Sequence, residues 1–207
     1  MCDMLTRLKS LSDERLLEIG KALHRVGLTP NRLSILGLIL IAICAWFLYH
    51  EQILLAILFG AIGALADVMD GMVARTTNQK TIRGGFLDSM IDRYADTLII
   101  GSMLLGGWLS PLEIGSWEWE PLTSISGEAW AIGAMSGALL TSYARAAAER
   151  LGVKQEGIGW VERPERMVIL LLGLVAGIVT WALFLLTFLG HITVLQRAKH
   201  FWEHAES

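Results

Sequence analysis

Five aspartates stand inside otherwise apolar sequence: Asp67 and Asp70 in one stretch, then Asp88, Asp92 and Asp96 in the next. An ionised carboxylate in hydrocarbon costs at least ~2.5 kcal/mol on insertion scales, so the group requires a polar cavity and a counter-charge. Asp67 and Asp70 are spaced i,i+3 and Asp88 and Asp92 i,i+4, which puts each pair on one face of a helix. Two such helices facing each other bring four carboxylates around one point. Hard oxygen donors with no histidine or cysteine among them select Mg²⁺, Mn²⁺ or Ca²⁺. A divalent ion also offsets the mutual repulsion of such a cluster. The competing reading sets the aspartates in water at helix ends, paired with Arg75, Arg83 and Arg93. Their regular spacing speaks against it.

The elements carrying these residues must be membrane helices. Of 207 residues, 54% are hydrophobic and 18% charged, and mean hydropathy is +0.52. Soluble chains carry roughly 25% charged residues, so this balance excludes a disordered chain and disfavours a soluble globule. Two cysteines, Cys2 and Cys44, make neither a disulfide framework nor a Cys-rich metal site. A net charge of −3 with unevenly placed basic residues argues against a nucleic-acid partner. Residues 1–28 are charged throughout and lack the apolar core of a cleavable signal peptide.

About 20 apolar residues cross ~30 Å of hydrocarbon. The first predicted span runs from Ser34 to Tyr49 and is entered through Thr29-Pro30-Asn31, with Thr29 as cap and Pro30 at the first helical position. The second runs from Ile53 into Asp67, the third from near Phe86 to Trp108, and the fourth from Ala129 to Ala148. The stretch from Met167 to Leu195 reads as two helices broken near Gly177. The expected fold is therefore an all-α membrane protein with six transmembrane helices in a domain covering residues 29–207. Before it, Leu5, Leu8, Leu11, Leu16, Leu17, Ile19 and Leu23 predict an amphipathic helix over residues 1–28, lying on the inner membrane surface.

Charge placement sets the expected orientation. With six spans, the turn at His50-Glu51, the 107–128 loop and the 177–180 turn share one side and contain no Lys or Arg, while the loop holds Glu113, Glu118, Glu120 and Glu128. All 17 Lys and Arg fall towards the other side, so both termini and the acidic cluster are expected at the cytoplasmic face of a multi-pass cell-membrane protein. Trp46, Trp108, Trp117, Trp119 and Trp130 gather towards the outer side, as an aromatic belt would.

Small residues punctuate the acidic segment. Gly71 and Ala74 follow Asp70, and Gly84-Gly85 open the next helix; such positions let a neighbouring helix or a ligand approach the backbone. Taken together, Asp67-x2-Asp70-Gly71-x2-Ala74-Arg75-x8-Gly84-x3-Asp88-x3-Asp92 resembles at every position the signature of the CDP-alcohol phosphotransferases. The resemblance extends from Pro30 to about Arg166. It implies transfer of a phosphatidyl-type group from a CDP-linked lipid, CDP-diacylglycerol or CDP-archaeol, to an alcohol with release of CMP. It further implies two Mg²⁺ or Mn²⁺ ions per active site, held by Asp67, Asp70, Asp88 and Asp92, with Asp92 also the base on the acceptor hydroxyl. Two ions can neutralise the diphosphate during in-line displacement. Asn31, Gly71, Ala74, Arg75, Thr81 and Gly84 are the implied contacts to the CDP-lipid, and a homodimer follows by family analogy.

The acceptor has to be read from basic residues. The fourth span ends in Ser142-Tyr143-Ala144-Arg145, and Glu162-Arg163-Pro164-Glu165-Arg166 precedes the fifth. Pro164 and Glu165 also suit an ordinary helix start, and Arg145 also suits an arginine snorkelling to the interface. Both motifs together resemble the branch that uses inositol 1-phosphate, which implies Arg145, Arg166 and Arg197 as ligands of the acceptor phosphate through the planar guanidinium fork. That branch tends to carry a second basic residue where this chain has Ala147. Glycerol 3-phosphate, which needs the same arginines, is the alternative acceptor. A divalent-cation transporter is the alternative of another class, but it requires a route to the far side, and the acidic residues lie towards the cytoplasmic half.

Overall fold

The computed structural model describes residues 27, 29–76, 81–110, 112 and 125–205. Among them every regular element is an α-helix: α1 Pro30–Tyr49, α2 Ile53–Thr76, α3 Ile82–Leu105, α4 Gly127–Arg150, α5 Arg163–Val175 and α6 Val179–His204. The expected amphipathic helix lies, apart from Gly27, outside the described residues, as do Glu113, Trp117, Glu118, Trp119 and Glu120.

The helix ends follow local chemistry. Thr29 O accepts from the amides of Arg32 and Leu33 at 3.0 and 3.1 Å, so α1 starts at Pro30 as expected. Helix α2 continues through Asp67 to Thr76, because nothing between them breaks the hydrogen-bonded ladder. Helix α3 begins at Ile82, ahead of the expected Phe86. The Thr81 hydroxyl caps it by accepting from Gly84 N at 3.0 Å. It ends at Leu105 rather than Trp108, at Gly106 and then Gly107 with φ of +79°. Ser126 caps α4 through Ala129 N, and α5 starts with a capping box between Glu162 and Glu165 around Pro164. Helices α5 and α6 part at Gly177, φ +70°, where Ile178 N closes onto Gly173 O at 2.8 Å.

Among the described residues, three helical stretches are long and apolar enough to cross a membrane: Pro30–Tyr49, Ile53–Ala74 and Val179–His204. Helix α3 is interrupted by Arg83, Asp88, Asp92, Arg93 and Asp96. Helix α4 is diluted by Gly, Ala and Ser, and α5, with 13 residues, reaches only about 20 Å.

The chain divides into two compact units. The first takes the described residues up to Cys44 together with Leu55–Ala95. Here α1 and α2 run antiparallel and touch through small residues: Cβ atoms added at Gly60, Gly63 and Gly37 would meet Cys44, Ile41 and Ala66, respectively, at 3.2, 3.1 and 3.7 Å. Each turn up α1 thus meets a turn down α2, with backbone contact possible only because the side chains are missing.

The second unit takes Ala45–Leu54 and the described residues from Asp96 onward. Helices α4 and α6 run parallel, with Trp130 edge-on to Phe184, Gly133 against Thr187 and Gly137 against Gly190. Helix α5 runs the chain back and packs on α6, its Gly173 seated against Ala182. Trp130 departs from the belt expectation: it is 6% exposed, because α6 supplies Phe184 and Phe188 to cover it. Trp46 is 63% exposed. Trp108 is half-buried and donates through Nε1 to Leu48 O at 2.7 Å.

Candidate active site

In the first unit, α2 and α3 bring Asp67, Asp70 and Asp88 together, with one carboxylate oxygen from each lying within 4.8 Å of the others. Asp67 and Asp70 are one turn apart on α2, Asp70 buried and Asp67 half-buried, while Asp88 comes exposed from α3. Asp92 follows one turn later on α3 and is half-buried.

The donor set suits a divalent cation. All the donors are carboxylate oxygens, and two ligands on opposite sides of Mg²⁺ at its usual bond length stand about 4.2 Å apart. Three such oxygens lie close enough together to bracket one ion, with neighbouring ligands of an octahedral Mg²⁺ drawn to about 2.9 Å on binding. Ser34 of α1 donates its hydroxyl to Asp70 Oδ2, which leaves the other oxygen of that carboxylate for an ion. Ser34 carried no signal in the sequence beyond being a polar residue at the start of an apolar span.

Three of the residues implied for the nucleotide meet at the start of α3. A Cβ on Gly84 would lie 3.1 Å from Thr81 Oγ1 and 3.3 Å from Asn31 Oδ1, so the spot has no room for a side chain. Gly71 and Ala74, both half-buried, continue α2 beyond Asp70, with Ala74 on the same face as that aspartate. Arg75 is the next residue of the helix.

The three arginines implied for the acceptor lie in the second unit. Arg145 Nε donates to Glu149 Oε1 at 2.9 Å, with both side chains 40% exposed. Arg166 Nη2 donates to Asp96 Oδ2, and this pair is buried. Arg197 is held by three partners: Nε to Ile158 O at 2.9 Å, Nη1 to Thr141 O at 2.8 Å, and Nη2 to Glu162 Oε1 at 3.1 Å. Two of the three arginines are therefore immobilised by protein groups, and Arg145 is the most accessible to a ligand.

Residues 27–196 match the model of the CDP-alcohol phosphatidyltransferase family. The chain is 34% identical over 194 residues to the archaetidylinositol phosphate synthase of Pyrococcus horikoshii, covering 94% of each protein. It is 30% identical to the phosphatidylinositol phosphate synthase of Mycobacteroides abscessus, covering 86% of this chain and 80% of that one. Among solved structures it is similar to the phosphatidylinositol phosphate synthase of Mycobacterium tuberculosis. The complex of that protein with manganese and citrate superposes with a TM-score of 0.74 at 27% identity, over 90% of this chain and 88% of the other. The form with CDP-DAG bound gives 0.75 at 25% identity, over 90% and 93%.

Proposed function

The chain belongs to the CDP-alcohol phosphatidyltransferase family, a family of membrane enzymes, and we propose that it makes a phosphoinositide-type lipid phosphate. In the proposed reaction the hydroxyl oxygen of inositol 1-phosphate bonds to the lipid-bearing phosphorus of CDP-diacylglycerol or CDP-archaeol. The anhydride bond breaks, CMP leaves, and the hydroxyl proton passes to the Asp92 carboxylate. The observation that carries this reading is the grouping of Asp67, Asp70 and Asp88 on the family's own spacing. The choice of acceptor is supported by relatives named for inositol phosphate products. It is supported also by the presence of Arg145, Arg166 and Arg197, of which Arg145 is open to solvent.

Asp67, Asp70, Asp88 and Asp92 would hold two Mg²⁺ or Mn²⁺ ions. When bound, such ions neutralise diphosphate charge and polarise the reacting phosphoryl group. Asn31, Gly71, Ala74, Arg75, Thr81 and Gly84 would receive the CDP moiety, with Gly84 keeping the backbone bare where Thr81 and Asn31 converge. The membrane arrangement we propose has six spans, α5 being the short one, with residues 1–28 as a surface helix. Both termini and the site would then face the cytoplasm, and the protein would work as a homodimer.

Release of cytidine-labelled CMP from CDP-lipid tests the reading. Release is expected with Mg²⁺ or Mn²⁺ and inositol 1-phosphate, and is expected to stop when a chelator is added. Chelator-insensitive release would overturn the metal reading, and faster release with glycerol 3-phosphate would reassign the acceptor.

A further inference from the structure

We propose that Ser34 is a positioning residue for the carboxylate of Asp70, an inference that rests on reading the aspartate group as a divalent-cation site. Both side chains belong to the first unit and are buried, at 6% and 7% exposure. Ser34 Oγ lies 3.1 Å from Pro30 O, the carbonyl one turn back that a helical serine commonly uses. It lies closer still to Asp70 Oδ2, across on α2. A hydroxyl has one hydrogen, and a carboxylate accepts it more strongly than an amide carbonyl does. The hydrogen therefore goes to Asp70, with the Pro30 carbonyl a secondary contact.

The packing of α1 on α2 fixes this pairing. Cys44 meets Gly60, Ile41 meets Gly63 and Gly37 meets Ala66, and the next turn along the same seam is Ser34 against Asp70. Glycines hold the two backbones close, so a side chain as short as serine reaches across. The hydroxyl commits one oxygen of Asp70 and fixes the plane of the carboxylate, so that it meets Asp67 and Asp88 in one orientation. A carboxylate free to rotate would present its oxygens to an ion in several geometries, which Mg²⁺ and Mn²⁺ tolerate poorly.

Mn²⁺ binding to the detergent-solubilised full chain, followed through the electron paramagnetic resonance signal of the free ion, tests the role without relying on turnover. Ser34→Thr keeps the hydroxyl, and Ser34→Val removes it while matching the shape of the threonine variant. Asp70→Asn reports on the site itself. The Ser34→Thr variant is expected to bind as wild type does. The Ser34→Val and Ser34→Ala variants are expected to bind ~10–100-fold more weakly, the range for loss of a partner one layer out from a metal. Equal affinity of the threonine and valine variants would overturn the positioning role. Should the β-branched pair not fold, Ser34→Ala against wild type decides in the same way. Equal binding by wild type and Asp70→Asn is a separate result, which would remove the metal site on which the inference stands.

Discussion

Arg166 Nη2 donates to Asp96 Oδ2 at 2.7 Å and ties α5 to α3 through two side chains only 6% and 3% exposed. The pair is imperfectly satisfied: Asp96 Oδ1 and Arg166 Nε are buried with no hydrogen-bond partner among the described residues. Removing one member of such a pair strands a charge and typically costs about 3–5 kcal/mol, whereas replacing both by apolar residues of similar volume is often neutral or better. Arg166→Met alone is therefore expected to lower thermal stability in detergent strongly, and Asp96→Leu with Arg166→Met to restore most of it. If Arg166 also binds the acceptor phosphate, the restored double variant stays inactive, which separates the two roles.

Arg197 bridges three elements: α4 through Thr141 O, the connecting segment through Ile158 O, and the cap of α5 through Glu162. A lysine carries a similar charge but cannot address three divergent acceptors at once. Hydrogen bonds involving a charged group contribute roughly 1.5–3 kcal/mol each, so Arg197→Lys is expected to destabilise by about 3 kcal/mol. Limited proteolysis reads the same change locally, as faster cleavage between Leu151 and Glu162. A raised KM for inositol 1-phosphate at unchanged stability would instead mark Arg197 as a ligand of the acceptor.

What the sequence disclosed, it disclosed through spacing. The i,i+3 and i,i+4 aspartates put Asp67, Asp70 and Asp88 on facing helix surfaces, and Thr29-Pro30 marked the start of α1, because these signals are local and covalently fixed. The break at Gly177 was visible for the same reason: a glycine in the left-handed region ends a helix wherever it falls. Hidden were the contacts between helices distant in sequence. Nothing around Ser34 announces Asp70, which lies 36 residues away. Trp130 reads as a belt residue until Phe184 and Phe188 are seen to cover it. The continuation of α2 to Thr76 escaped a rule based on apolar length, since backbone hydrogen bonding does not stop where charge begins.

The parallel seam of α4 on α6 requires glycine at position 133, whereas Gly101, on α3, is replaceable. A Cβ on Gly133 would stand 2.7 Å from Thr187 Cγ2 and 2.9 Å from Thr187 Oγ1. Thr187 cannot easily swing aside, because its hydroxyl sits 3.0 Å from Trp130 O and 2.9 Å from Leu183 O. The helices must then separate, and overpacking of this kind costs about 1–3 kcal/mol. At Gly101 on α3 an added Cβ meets nothing within 4 Å among the described residues. Alanine there removes backbone freedom from the unfolded chain and is worth about 0.5–1 kcal/mol to the helix. Both substitutions bring the same intrinsic helical gain, so the difference between them isolates the seam. Thermal unfolding should place Gly133→Ala below wild type and Gly101→Ala at or above it; equal melting of the two would mean that α4 and α6 do not pack through Gly133.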